Sequence, residues 1–292
     1  MASIHRFEDA DFSIRSSLDG STFAVNRAKL ENGSYVFCDM FECCDRSENR
    51  EDQVLDLHEP ESTLSALLRL LHSPPAPPVQ FLREPIGEKV ITQLPIRYDL
   101  TTAIPLPVLR LLFYLTDKYA LLNVLDSLKA HLLAHAPTDG LTVYAYGLSL
   151  SALGDMSYVA SEASQYILPL PWYSLDEVKV VPTVADYHNV HRLQTYRVKA
   201  LQEILVREEL FPHGYGMCAT HNTGAAAAWD RARIILARKV ESNTDVAGEM
   251  ESLVYIFQSC SKCCKAFTAA VEMLAYKCRR VPRRLDQLPD DV

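Results

Sequence analysis

The 292-residue sequence predicts an α+β protein: a small N-terminal sheet capped by helices, then an all-helical C-terminal region. Three observations carry this. Short alternating segments around an Asp19-Gly20 turn open the chain. A leucine run at i, i+3, i+4, i+7 follows. Beyond two proline-marked breaks, apolar residues recur at helical spacing until about residue 280.

The elements follow in order. Phe12-Ser13-Ile14-Arg15 alternates as a strand should, Asp19-Gly20 supplies a hairpin turn, and Thr22-Phe23-Ala24-Val25 is the returning strand. Leu30, Ser34, Phe37 and Met40-Phe41 fall near one face of a short helix. Val54-Leu55-Asp56-Leu57 reads as a third strand, and Pro60 opens a helix with Leu64, Leu67, Leu68 and Leu71 on one face. Ser73-Pro74-Pro75-Ala76-Pro77-Pro78 stops that helix, because proline lacks the N–H and disfavours helical geometry in the residue before it. Prolines 85, 95, 105 and 107 keep residues 73–107 irregular or extended. Leu109 to Leu133 returns to helical spacing. A second break runs from Pro169 to Pro182. After it, Ala225 to Val240 carries Trp229, Leu236 and Val240 on one face, and Val246, Met250, Leu253, Val254 and Phe257 share another.

Length and composition bound the function. The chain is worth about two average domains, and 48% hydrophobic residues supply two cores. A net charge of −8 argues against a broadly basic nucleic-acid binder, so no direct nucleic-acid binding is expected. None of the ten glycines falls into G-x-G-x-x-G or G-x-x-x-x-G-K-[ST], which removes the usual dinucleotide and nucleoside-triphosphate loops. No G-x-S-x-G surrounds a serine. Acidic residues at the start and the lack of ~18 uninterrupted apolar residues predict an intracellular protein, cytoplasmic or nuclear, with no membrane partner. Eight cysteines, six of them in the clusters Cys38/Cys43/Cys44 and Cys260/Cys263/Cys264 with Cys218 and Cys278 alone, read as reduced thiols or metal ligands, not as a disulfide scaffold.

The order of elements and the residues together resemble the BTB/POZ domain. The matching pattern is Asp11-Phe12 entering the first strand, Asp19-Gly20 at the turn, Phe23-x-Val25-x-Arg27 in the second strand, and Leu30-x-x-x-Ser34-x-x-Phe37-x-x-Met40-Phe41 in the first helix. Leu109, Leu111, Leu112, Leu115, Asp117-Lys118-Tyr119, Leu121, Leu125 and Leu128 look like the helices that close such a domain. The resemblance spans residues 8–135 with 73–107 as a proline-rich insertion. Residues 136–168 look like the helical extension of fungal BTB proteins, and 183–284 form a helical C-terminal domain. Asn26 stands where the family usually has a histidine. The resemblance implies a non-enzymatic scaffold or adaptor that self-associates as a homodimer or docks protein partners, often a cullin-type ubiquitin ligase subunit. Met40 and Phe41 are the candidate partner-binding residues, set against the reading of Phe37 and Met40 as ordinary core. Asp45 and Ser47 occupy the positions where cullin-binding members carry an apolar residue and a glutamate.

The sharpest chemical signal lies in the C-terminal half. Cys218-Ala219-Thr220-His221 and Cys260-Ser261-Lys262-Cys263 are two C-x-x-[CH] knuckles with 38 residues between them. Each can place two ligands on one side of a turn, and together they make a Cys₃His set suited to one Zn²⁺. An antiparallel helix pair filling the gap returns the chain to its start, so the ion pins the start of one helix to the end of the next. Cys264 and His213 are the substitute ligands, and the fungal BTB resemblance, with its Cys/His loop and late C-x-x-C, supports the set. Four protein ligands leave no open position for water, which makes the ion structural. The competing account treats the cysteines as small buried hydrophobes. His188 and His191, three apart on a helix, offer the alternative of a metal-dependent hydrolase that uses either this pair or the Cys/His cluster. The tail from Lys277 to Arg284 carries five cations in eight residues; it reads as a helix end favoured by the dipole, or as a nuclear import signal or acidic-partner patch.

Overall fold

The computed structural model describes residues 4–44, 54–80, 97–150 and 156–289. The chain divides into two compact units, residues 1–137 with 149–159, and residues 138–148 with 160–292. The first holds a small sheet with helices, and the second is helical. Among the described residues no helix is long and apolar enough to cross a membrane.

In the first unit, β2 (Phe12–Ser16) and β3 (Thr22–Val25) pair antiparallel, with Ile14 opposite Phe23 and both fully buried. Gly20 adopts φ +77°, the left-handed conformation that a tight turn assigns to glycine. Asp19 does more than turn the chain. Its carboxylate accepts from the backbone N–H of Ser21 (3.0 Å) and of Glu61 (2.7 Å), and these bonds hold its pKa down to about 2. It thereby caps α3 (Glu61–His72), whose own N-cap residue Pro60 offers no side-chain bond. β4 (Val54–Leu57) runs parallel to β2. β1 (Ile4–Arg6), which the alternation pattern did not reveal, adds to the other side of β3 in parallel, giving the order β1-β3-β2-β4. His5 on β1 stacks on Phe23 at 4.7 Å and bonds Glu61 at 2.6 Å.

The single helix expected around Leu30 to Phe41 is two, α1 (Arg27–Gly33) and α2 (Tyr35–Cys44). Ser34 between them is extended (φ −154°, ψ 125°) because a distant segment claims the backbone there. Leu122 N–H donates to Gly33 C=O at 2.8 Å, Tyr35 N–H to Ala120 C=O at 3.3 Å, and Ser34 Oγ to Tyr119 C=O at 2.5 Å. The same hydroxyl accepts from Phe37 N–H (3.2 Å), so it starts α2 while closing the break. Asn26 caps α1 by accepting from Lys29 N–H at 2.9 Å. Phe37 and Phe41 of α2 are fully buried, as are Leu64, Leu67 and Leu68 of α3, and Phe37 stacks on Tyr119 at 5.5 Å, just past α4 (Leu106–Lys118), where Leu109, Leu112, Phe113 and Leu115 are buried. α5 (Leu125–Ala134) adds Leu128 and Leu132. The proline-rich segment is extended at both ends: β5 (Val79–Gln80) pairs antiparallel with β6 (Arg97–Tyr98).

The second unit takes residues 138–148 of α6 (Ala136–Ser149) and residues 160–164 of α7 (Ser157–Ser164). Gly147 on α6 lies so near α7 that a Cβ would come within 2.7 Å of Ala160 N. The proline break at 169–182 contains α8 (Leu175–Val178), started by a Ser174–Glu177 capping box. α9 (Val184–Arg207) is capped by Thr183, whose Oγ1 accepts from Asp186 N–H at 3.1 Å. Its buried residues, Val190, Leu193, Arg197, Leu201 and Leu205, recur every three or four positions. α10 (Asn222–Ala237), α11 (Val246–Glu251) and α12 (Ser261–Arg279) complete the unit. Trp229 of α10 meets Phe267 of α12 edge-on at 5.8 Å and donates its indole N–H to Glu208 C=O at 3.0 Å, and Phe257 stacks on Phe267 at 4.5 Å. Cys218 and Cys263 belong to this same core.

Candidate metal centre

Both knuckles sit at helix starts. Gly214 and Gly216, at φ +78° and +76°, turn the chain after α9 and bring Cys218 to the approach of α10, where His221 is the N-cap residue. Asn222 N–H bonds Cys218 C=O at 3.1 Å, so the Cys218-Ala219-Thr220-His221 segment folds back as a tight turn. Cys260 is the extended N-cap of α12, and Cys263 lies in its first turn. The expectation that the knuckles pin one helix start to the next helix end is therefore corrected. α11 and a short 3₁₀ turn, Val254–Ile256, carry the chain onward, and Cys260 begins a third helix, so two helix starts face each other.

The four donors converge. One ligand atom from each of Cys218, His221, Cys260 and Cys263 lies within 4.8 Å of every other, and the group can hold a metal ion. Cys218 Sγ stands 3.5 Å from His221 Nδ1 and 3.6 Å from Cys260 Sγ. The electrostatics favour deprotonated sulfur at two positions. The backbone N–H of Cys263, helped by His221, lowers Cys260 to about 6, and the backbone N–H groups of Thr220 and His221 lower Cys218. Bonds to Cys260 and Cys218 raise His221. Burial, with its two sulfur neighbours, pushes Cys263 up to about 11, so its proton leaves only to a strong competitor such as a cation. Cys218 and Cys263 are buried, Cys260 is half-buried and His221 exposed, which leaves the group reachable from one side.

The other candidate residues are placed separately. Cys264, half-buried on α12, and His213, in a turn with φ +54°, stand outside the converging set. His188 and His191 are both exposed on α9 and join no metal-binding group among the described residues. Phe41 is fully enclosed by its own unit, edge-on to Phe12 at 4.9 Å and covered by the Arg27 guanidinium at 4.6 Å. Met40 is half-buried, and of the pair it is the one with surface to offer. Asp45 and Ser47 lie outside the described residues. In the basic tail, Lys277 pairs with Glu208 at 2.5 Å and Arg284 with Glu162 at 2.5 Å, so part of its charge is neutralised within the unit.

A scan of protein-family models gives no match to the chain, and comparison with curated proteins gives none either.

Proposed function

We propose that this protein is a non-enzymatic interaction scaffold: a BTB-like N-terminal unit that self-associates or docks a protein partner, with a helical unit pinned by one structural Zn²⁺. The closed Cys₃His donor set carries this reading. A tetrahedron with Zn–S arms of ~2.3 Å and a Zn–N arm of ~2.0 Å has S–S edges of roughly 3.8 Å and S–N edges of roughly 3.5 Å. The 3.6 Å between Cys218 and Cys260 and the 3.5 Å between Cys218 and His221 fit those edges. Three sulfurs and one imidazole are the borderline-soft donors zinc takes in closed sites. When bound there, the ion supplies a cross-link. Cys218 and His221 would hold the approach to α10, and Cys260 and Cys263 the start of α12. The sheet order, the Ser34-started α2 and the closing helices support the BTB part alongside the residue pattern. Met40, half-exposed beside the enclosed Phe41, is the proposed contact, since methionine is favoured at interface centres.

Light scattering on the full chain at tens of micromolar, on the order of the weak-interaction regime, tests the self-association. The expected mass is twice the 32.8 kDa of one chain, shifting toward one chain in Met40→Glu. A strict monomer in the wild type contradicts it.

A further inference from the structure

The helical unit holds a cation where its apolar stripe calls for a leucine. Arg197 on α9 falls in register with Val190, Leu193 and Leu201 and is only 6% exposed. Its Nε donates to Ser242 C=O at 2.5 Å and its Nη1 to the carbonyls of Val281 and Pro282 at 3.3 Å. These neutral acceptors satisfy part of the guanidinium and leave its charge uncompensated. No carboxylate pairs with Arg197 among the described residues, and Nη2 has no protein partner there. The acidic group that does act on it, the Cys278 thiol, is itself pushed up by burial and so uncharged at neutral pH. A buried charge without a counter-ion is costly, and native proteins pair such charges.

Arg197 lines a small concavity of about 120 Å³ together with Arg283, Ser164, Gln165, Gln194, Ser242 and Asn243. Arg283 is exposed, forms no ion pair among the described residues, and stands near enough that its charge adds to burial in lowering Arg197 to about 10. Ser242 is more than nine-tenths buried, and its Oγ has no hydrogen-bond partner. Two guanidinium groups without an ion pair among the described residues thus meet at one polar hollow, formed by side chains from α9, from the 242–243 turn and from the segment after α12.

We propose that this hollow is a binding site for a phosphate-class oxyanion, free or as a small phosphate monoester. Two guanidinium charges call for a dianion, which a single carboxylate does not supply. Guanidinium forks match tetrahedral oxyanions, and such an ion has acceptor oxygens left for the exposed Asn243 amide. The volume admits the anionic head alone, so any remainder of a monoester extends outward. Bound there, the anion joins α9 to the chain segments at 242 and 281–283 through Arg197, and so stabilises the helical unit.

Titration calorimetry of the metal-replete full chain with inorganic phosphate, against chloride at matched ionic strength, tests this. Saturable one-site binding is expected. Arg283→Gln, which removes an exposed side chain with no structural bond, is expected to weaken it about tenfold or more while thermal unfolding without phosphate stays unchanged. Asn243→Ala weakens it less, and Arg207→Gln, elsewhere on the surface, leaves it intact. Glycerol 3-phosphate bound as tightly as phosphate assigns a monoester, and its rejection assigns the free ion; either supports the site. No saturable binding up to about 10 mM phosphate, or equal affinity in Arg283→Gln and wild type, overturns the proposal.

Discussion

Replacing Cys260 with serine is expected to cost the helical unit far more than the ~1 kcal/mol of an ordinary substitution. Binding free energy at a structural zinc site is folding free energy, and the proposed ion would add it between the approach to α10 and the start of α12. The segment between α9 and α10 is anchored at Glu208 and Leu210, and nearer α10 by turns and by Cys218, which is itself part of the core with Trp229, Phe257 and Phe267. Losing one of four ligands leaves an incomplete set and frees the start of α12 from the approach to α10. Hydrogen exchange in the full chain reads this directly: amides of α10 and α12 lose protection, while those of β2 and β3 keep theirs. Cys264→Ser is the control, because Cys264 is the adjacent residue yet stands outside the donor set. If Cys260→Ser melts and exchanges like Cys264→Ser, the cysteines are ordinary core residues.

Phe41→Ala is expected to destabilise the N-terminal unit by about 3–5 kcal/mol, the range for truncating a buried phenylalanine. The ring is fully enclosed, contacts Phe12 and Phe37, and lies beneath Arg27, so its removal opens a cavity and strips a cation of its aromatic floor. Met40→Ala, half-exposed one residue earlier, is expected to cost under about 1.5 kcal/mol. Urea unfolding of the two variants separates core from contact. A Phe41→Ala variant that unfolds at the wild-type midpoint, with altered association only, contradicts the buried placement.

Local patterning made much of this legible. The Asp19-Gly20 hairpin, the Val54 strand and the Leu64 to Leu71 face are short-range signals, and each element forms where its own residues favour it. β1 escaped because three residues are too few for alternation to register, and what holds Ile4–Arg6 is pairing to β3 and the His5 contacts. The break at Ser34 escaped for a different reason: the apolar residues on both sides keep helical spacing, and the interruption comes from carbonyls and amides at 119–122, about 85 positions away. At the candidate metal centre the knuckle spacing named the four residues that converge, because C-x-x-C and C-x-x-H turns are local. Their arrangement at two helix starts was hidden, since α11 and the following turn replace the simple hairpin drawn from periodicity. Arg197 left one readable trace, a charged residue in the stripe Val190, Leu193, Leu201. Its partners come from positions 242 and 281–283, which no spacing rule links to it.

X-ray absorption at the zinc edge, on the full chain purified without chelator, tests the central proposal most directly. One zinc per chain is expected, with three sulfur neighbours near ~2.3 Å, one nitrogen near ~2.0 Å and no oxygen shell. A chain carrying less than about one zinc per several molecules would remove the structural ion. A zinc coordinated by fewer protein donors, with a water oxygen completing the shell, would contradict the scaffold and favour catalysis at the same cluster.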